Sequence, residues 1–153
     1  MLQPPIEPTT HSGHSCIAPI ISLGHTLVSK YEKLIETWIR YQHKEDPPED
    51  DPDFWSYCDF SDLIQEKPED AWLIILEILS RDNSETIVEI LSAGPLEDLL
   101  ATHGDGFIDR VEGEARKNPQ FASLLGGVWQ NAMSDELYSR VRSAWNRSEW
   151  DGS

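Results

Sequence analysis

A histidine set among carboxylates is the arrangement best able to move a proton, and the chain holds one such cluster, His103-Gly104-Asp105-Gly106 with Asp109 close behind. An imidazole titrates near neutrality, so Asp105 orienting His103 would make a general acid or base. The same histidine closes an apolar series, Leu96, Leu99, Leu100 and His103, one residue before a glycine. That position reads more simply as a packed side chain that hydrogen-bonds a terminal helix carbonyl. A second cluster, His11-x-x-His14-x-Cys16, has metal-ligand types at close spacing. A metal site also needs a fourth ligand and rigid supporting groups, and the proline, serine and threonine around it offer neither. The sequence contains no phosphate-binding glycine loop, nucleophile elbow, His-Glu-x-x-His or Cys-x-x-Cys. The expectation is a non-catalytic protein that uses no metal or cofactor.

Charge is the stronger signal. The chain has 28 acidic and 12 basic residues, for a formal net charge of −16. From Glu45 to Glu114 there are 21 acids and three bases, a net of −18, while the other 83 residues sum to +2. The densest stretch, Glu45 to Asp53, packs six acids and three prolines together. Proline removes backbone donors and like charges repel, so this stretch reads as an extended loop. A field of this sign repels nucleic acid and steers a basic protein into contact. The candidate partner-binding residues are Glu45, Asp46, Glu49, Asp50, Asp51 and Asp53 in the loop, with Glu97, Asp98, Asp105 and Asp109 beyond it. The partner class is a basic protein, such as a toxin whose cationic groove an immunity protein or inhibitor covers. A mimic of the phosphate backbone aimed at a nucleoprotein, or a helical adaptor whose charge only confers solubility, would share the composition. Arg140, Arg142 and Arg147 beside Trp145 and Trp150 form a small basic-aromatic patch, which reads as tryptophan packing under a solvated arginine face.

The elements that must carry these charges read as helices. At 153 residues with 39% hydrophobic content, the chain suits one domain. Residues 1–21 read as a flexible tail, 22–147 as a single helical domain with the acidic loop at 45–53, and 148–153 as a frayed end. No apolar run reaches membrane-spanning length, the first residues lack a signal-peptide pattern, and two cysteines cannot build a disulfide scaffold. A cytoplasmic protein is expected.

Leu27, Tyr31, Leu34, Trp38 and Tyr41 recur at helical spacing and predict a helix from Ser22 to about Lys44. Phe54, Tyr57 and Cys58 fit i, i+3, i+4, which predicts a short helix with these residues inward and Cys58 as a small core residue. Pro68 suits a first helical turn, and Trp72 to Leu79 is apolar nearly all round, marking the centre of the core. Ser84, Asn118 and Ser134 are placed to cap later helices. Gly94 is expected to end a helix in the left-handed conformation, with Pro95 opening the next. Gly104 is expected to stop that one, with Asp105 capping its successor. Gly126-Gly127 either allows close approach of a neighbouring helix, the simpler reading, or ends a helix before Val128-Trp129. Short links between helices favour antiparallel neighbours. The fold class is therefore all-α, as stacked helical hairpins in a short solenoid-like or irregular bundle.

Three blocks carry a resemblance: PEDAW at 68–72, AGPLEDLLATHG at 93–104 and FIDRVEGEARKNPQFASLLGGVW at 107–129. They resemble an uncharacterised family of small bacterial helical domains over roughly residues 55–145. The resemblance implies a bacterial origin and a helical fold but no activity. The tail, the first helix and the acidic loop fall outside it.

Overall fold

Pro68, Ser84, Asn118 and Ser134 each open a helix, for the local reasons their types suggest. Proline at the first turn forfeits no hydrogen bond. The side chains of Ser84, Asn118 and Ser134 accept from the backbone N–H of Ile87, Phe121 and Leu137. The computed structural model describes residues 27–152, with side chains through residue 145, so the tail and the His11/His14/Cys16 cluster lie outside the described residues. Within that span the chain forms seven α-helices and no strand. They are α1 (Glu32–Gln42), α2 (Phe54–Glu66), α3 (Pro68–Arg81), α4 (Glu85–Leu91), α5 (Glu97–Lys117), α6 (Pro119–Leu124) and α7 (Asp135–Gly152). None of the described helices is long and apolar enough to cross a membrane.

α3 lies at the centre, as its apolar run requires. Ala71, Trp72, Ile74, Ile75, Ile78 and Leu79 are buried. The Trp72 ring meets Phe121 edge-on at 5.5 Å and Phe107 at 5.9 Å, tying α3 to α6 and α5. α1 is shorter than its periodicity suggests. A helical turn at residues 27–30 breaks at Tyr31 (φ −102°, ψ 16°) before α1 begins. The Tyr31 hydroxyl donates to Asp70 Oδ2 of α3 at 2.8 Å, and burial, then this bond, push its pKa up to about 12.

Of two expected helix stops, one is absent and the other falls one residue early. Gly94 does not turn left-handed; among the described residues no glycine has positive φ. Instead Ser92–Leu96 form a π-helical turn, and α4 runs through it directly into α5. Pro95 has no N–H to give, and the widened turn absorbs that loss without ending the helix. The break expected at Gly104 occurs one residue earlier, where His103 (φ −126°, ψ 16°) leaves the helical region and divides α5 into two helical stretches. The second runs to Lys117, with Asp105 inside its first turn. Gly104 is buried because Leu137 of α7 occupies the space a Cβ would need. α4 and the first stretch of α5 thus form one rod through the π-helical turn, where two short helices were expected, and the kink at His103 ends that rod.

Gly126 and Gly127 serve both purposes open to them. They lie in a 3-10 turn, Leu125–Gly127, that ends α6. A Cβ on Gly126 would sit 2.6 Å from Trp145 Nε1, and one on Gly127 would collide with Ser92 Oγ. α7 runs on to Gly152, beyond the Arg147 where fraying is expected.

α2 overturns the reading of its inward face. Ser56, Phe60 and Ile64 are buried, whereas Phe54, Trp55 and Tyr57 are exposed. Cys58, expected in the core, is exposed too. Two apolar stripes overlap on this short helix, and α1 and α3 cover the one built on Phe60.

Candidate partner-binding surface

The acidic loop joins the last turn of α1 to the start of α2, and those ends supply the cations that shape it. Arg40 on α1 grips Asp53 with two bonds, Nε to Oδ2 at 2.8 Å and Nη2 to Oδ1 at 3.0 Å. Lys44 Nζ reaches Asp51 Oδ1 at 2.7 Å and Asp53 Oδ2 at 3.0 Å. The Asp53 N–H donates to Asp51 Oδ1 at 2.8 Å. Asp53 is only 8% exposed. The second half of the loop is therefore pinned by its own cations, which corrects the reading of a wholly extended loop with six outward carboxylates. Asp51 and Asp53 are engaged in holding α1 to α2. Glu45, Asp46, Glu49 and Asp50 are exposed and form no ion pair among the described residues.

This division has a consequence in acid. Arg40 first, then Lys44, hold the Asp53 carboxyl well below the usual carboxylate range, and Lys44 and the Asp53 N–H lower Asp51. A carboxyl depressed in the folded state contributes stability that is complete above its unfolded pKa, about 3.9, and disappears as the pH falls through the lower folded value. Asp53→Asn should leave a stability difference that is fully developed above about pH 5 and shrinks steadily as the pH falls below about 4 toward the depressed folded value. Urea midpoints measured across that range check this. A difference that stays constant with pH would show that Asp53 acts without its charge.

The helix that follows the loop opens with an exposed aromatic face. Phe54 and Tyr57, one helical turn apart on α2, stack with ring centroids 5.6 Å apart and planes 11° from parallel. Tyr41 of α1 packs on Phe54 at 5.9 Å. Tyr57 is 51% exposed, and it also rims a small slot of about 70 Å³ that includes Gln42 and Asp98. The slot and the loop are thus joined through Gln42, Phe54 and Tyr57. The i, i+4, i+8 stripe of Ser56, Phe60 and Ile64 is the sequence signal that would have turned Tyr57 outward. Asp59, Asp62 and Glu66 are exposed further along α2 on the face carrying Trp55, and were not among the expected residues.

The remaining candidates are dispersed. Glu97 accepts from the Trp129 N–H at 3.2 Å and from Asn131 Nδ2 at 3.0 Å, so it holds the turn after α6. Asp109 and Glu112 both bind Arg140 of α7, at 2.9 and 2.7 Å, while Arg110 turns to Glu69 at 2.7 Å. In the basic-aromatic patch, Arg140 is engaged and Arg142 lies over the Trp145 ring at 4.9 Å, while the side chains of Arg147 and Trp150 lie outside those described. Asp105 lines a separate open cavity of about 530 Å³ together with His103, Met133 and Ser134. His103 is half-buried, and its Nε2 finds no hydrogen-bond partner among the described residues. That nitrogen does not make the bond to a helix carbonyl expected of it.

Residues 43–149 match the model of a family of unknown function, DUF6869. The match begins before the acidic loop and includes it, where the motif blocks suggested that the loop lay outside. No curated protein and no solved structure matches the chain.

Proposed function

The chain belongs to this family of unknown function, and we propose that it is a non-catalytic binding protein whose acidic-aromatic face receives a cationic segment of a protein partner. One observation carries the reading: four exposed carboxylates, without ion pairs among the described residues, lie in the loop that leads into the helix bearing an exposed aromatic stack. Carboxylates in a loop raise the encounter rate with a basic surface through the long-range field. The rings then offer faces on which arginine or lysine heads can rest. A protein of this kind would act as an inhibitor or immunity protein, covering a groove whose lysines and arginines otherwise hold phosphate. The 128–131 turn gives an apolar alternative its one specific support, because Trp129 is 71% exposed there. An adaptor binding through Trp129 would tolerate salt, whereas the acidic face would not.

The test is a variant carrying Glu45→Gln, Asp46→Asn, Glu49→Gln and Asp50→Asn, titrated with a deca-arginine peptide at about 50 and about 300 mM salt. At the lower salt the variant should bind about tenfold or more weakly, given ~0.2–1 kcal/mol for each exposed charge contact. Its salt dependence should be shallower than the parent's. The pair Asp105→Asn and Asp109→Asn, elsewhere on the fold, should change affinity by less than about twofold. Equal affinity and equal salt slope for parent and loop variant would remove the acidic face from the function.

A further inference from the structure

The slot beside Tyr57 has features that the loop does not. It opens between α1, α2 and the π-helical turn, with Trp38, Phe60 and Pro95 as apolar walls and Tyr57 and Asp98 at the same opening. Gln42 also lines it, and the Gln42 Nε2 is buried with no hydrogen-bond partner among the described residues. A buried amide left unpaired carries a desolvation penalty that an occupant can relieve. The amide can present its NH₂ or, turned by 180°, its carbonyl oxygen.

We propose that this slot receives an arginine side chain of the cationic partner, an inference that rests on the acidic-face reading above. The small slot, about 70 Å³, takes the guanidinium head, with the methylenes behind it at the mouth. The planar guanidinium can lie on the exposed Tyr57 ring, which Phe54 backs from its other side. Its N–H groups face one carboxylate, Asp98, and one amide able to offer an oxygen, Gln42. Lysine fits this set less well, because its ammonium is more strongly hydrated and does not stack. Charge complementarity points the same way. Asp98 is exposed, yet its carboxyl is held above the ordinary carboxylate range, first by partial desolvation and then by Glu97 beside it, and an incoming cation offsets both effects. The π-helical turn contributes Pro95 to the wall, so the backbone irregularity at 92–96 shapes the slot itself.

The experiment is an NMR titration of the full chain with hexa-arginine, hexa-lysine and hexa-citrulline peptides at about 20 mM salt. The Gln42 side-chain amide and Tyr57 ring signals should move saturably with the arginine peptide. Affinity should fall in the order arginine, lysine, citrulline. Asp98→Asn should weaken arginine binding by about fivefold or more, and Asp105→Asn, which removes the same charge elsewhere, by less than about twofold. Tyr57→Ala, at an exposed position, should weaken arginine binding while leaving the circular dichroism unchanged. If Asp98→Asn and Asp105→Asn behave alike, or if only signals from the 45–50 loop move, the slot is not the site and the wider acidic-face reading survives. If none of the cationic peptides binds at low salt, both readings fall together.

Discussion

Trp38→Ala should lower the unfolding free energy by about 3–5 kcal/mol, the usual cost of removing a buried indole. Trp38 is 2% exposed on α1, and its ring meets Phe60 of α2 edge-on at 5.6 Å and 84°. It is the wedge between the first two helices. Domains of this size hold only about 5–15 kcal/mol in total, so the variant would stand near the edge of folding. In urea, where slopes are about 1–3 kcal/mol per molar, the midpoint should fall by more than about 1 M. Trp38→Phe keeps an aromatic ring against Phe60 and should lose much less. Because Trp38 also walls the arginine slot, Trp38→Phe should blunt arginine recognition while the fold persists. A Trp38→Ala midpoint within about 0.3 M of the parent would mean that α1 is not anchored through this ring.

The second large effect is expected at Gly127. A methyl group there collides with Ser92 Oγ, and Ser92 is 1% exposed, with its hydroxyl donating to the Glu89 carbonyl at 3.0 Å. Ser92 must either break that bond in a dry environment or push the π-helical turn away from the 125–127 turn. Overpacking and an orphaned hydroxyl together predict a loss of about 2–4 kcal/mol for Gly127→Ala. Ser92→Ala removes the clashing oxygen, so the double variant should be less destabilised than the sum of the singles, with a coupling of about 1 kcal/mol or more. Strict additivity would show that the backbone absorbs the methyl elsewhere. The displacement also has a functional readout. Moving the π-helical turn moves Pro95, so Gly127→Ala should weaken arginine binding although it touches no charge in the slot.

Much of the helical framework was legible along the chain because its causes are local. Pro68 fixes a first turn by its own ring, and Ser84, Asn118 and Ser134 satisfy backbone donors three residues ahead. The all-round apolar character of Trp72–Leu79 leaves α3 nowhere to go but the middle. The stop at Gly94 misled for the opposite reason, whereas the break at His103 lies beside the expected Gly104. A glycine permits a left-handed turn but does not impose one, and Gly94 keeps a negative φ; at Gly104 and Gly127 the missing Cβ instead admits Leu137 and Ser92.

From residue types alone one could know that this chain is all-helical, where most of its helices begin, and that its negative charge concentrates between residues 45 and 114. Only the folded chain decided which carboxylates remain available. That depends on cations brought close across sequence gaps, as with Arg40 and Asp53 or Arg140 and Glu112. Tertiary packing likewise chose between two overlapping stripes on α2, burying Phe60 and leaving Tyr57 to the solvent. Capping is an interaction between residues a turn apart. Charge pairing and face selection are interactions between surfaces that meet only when the whole core closes.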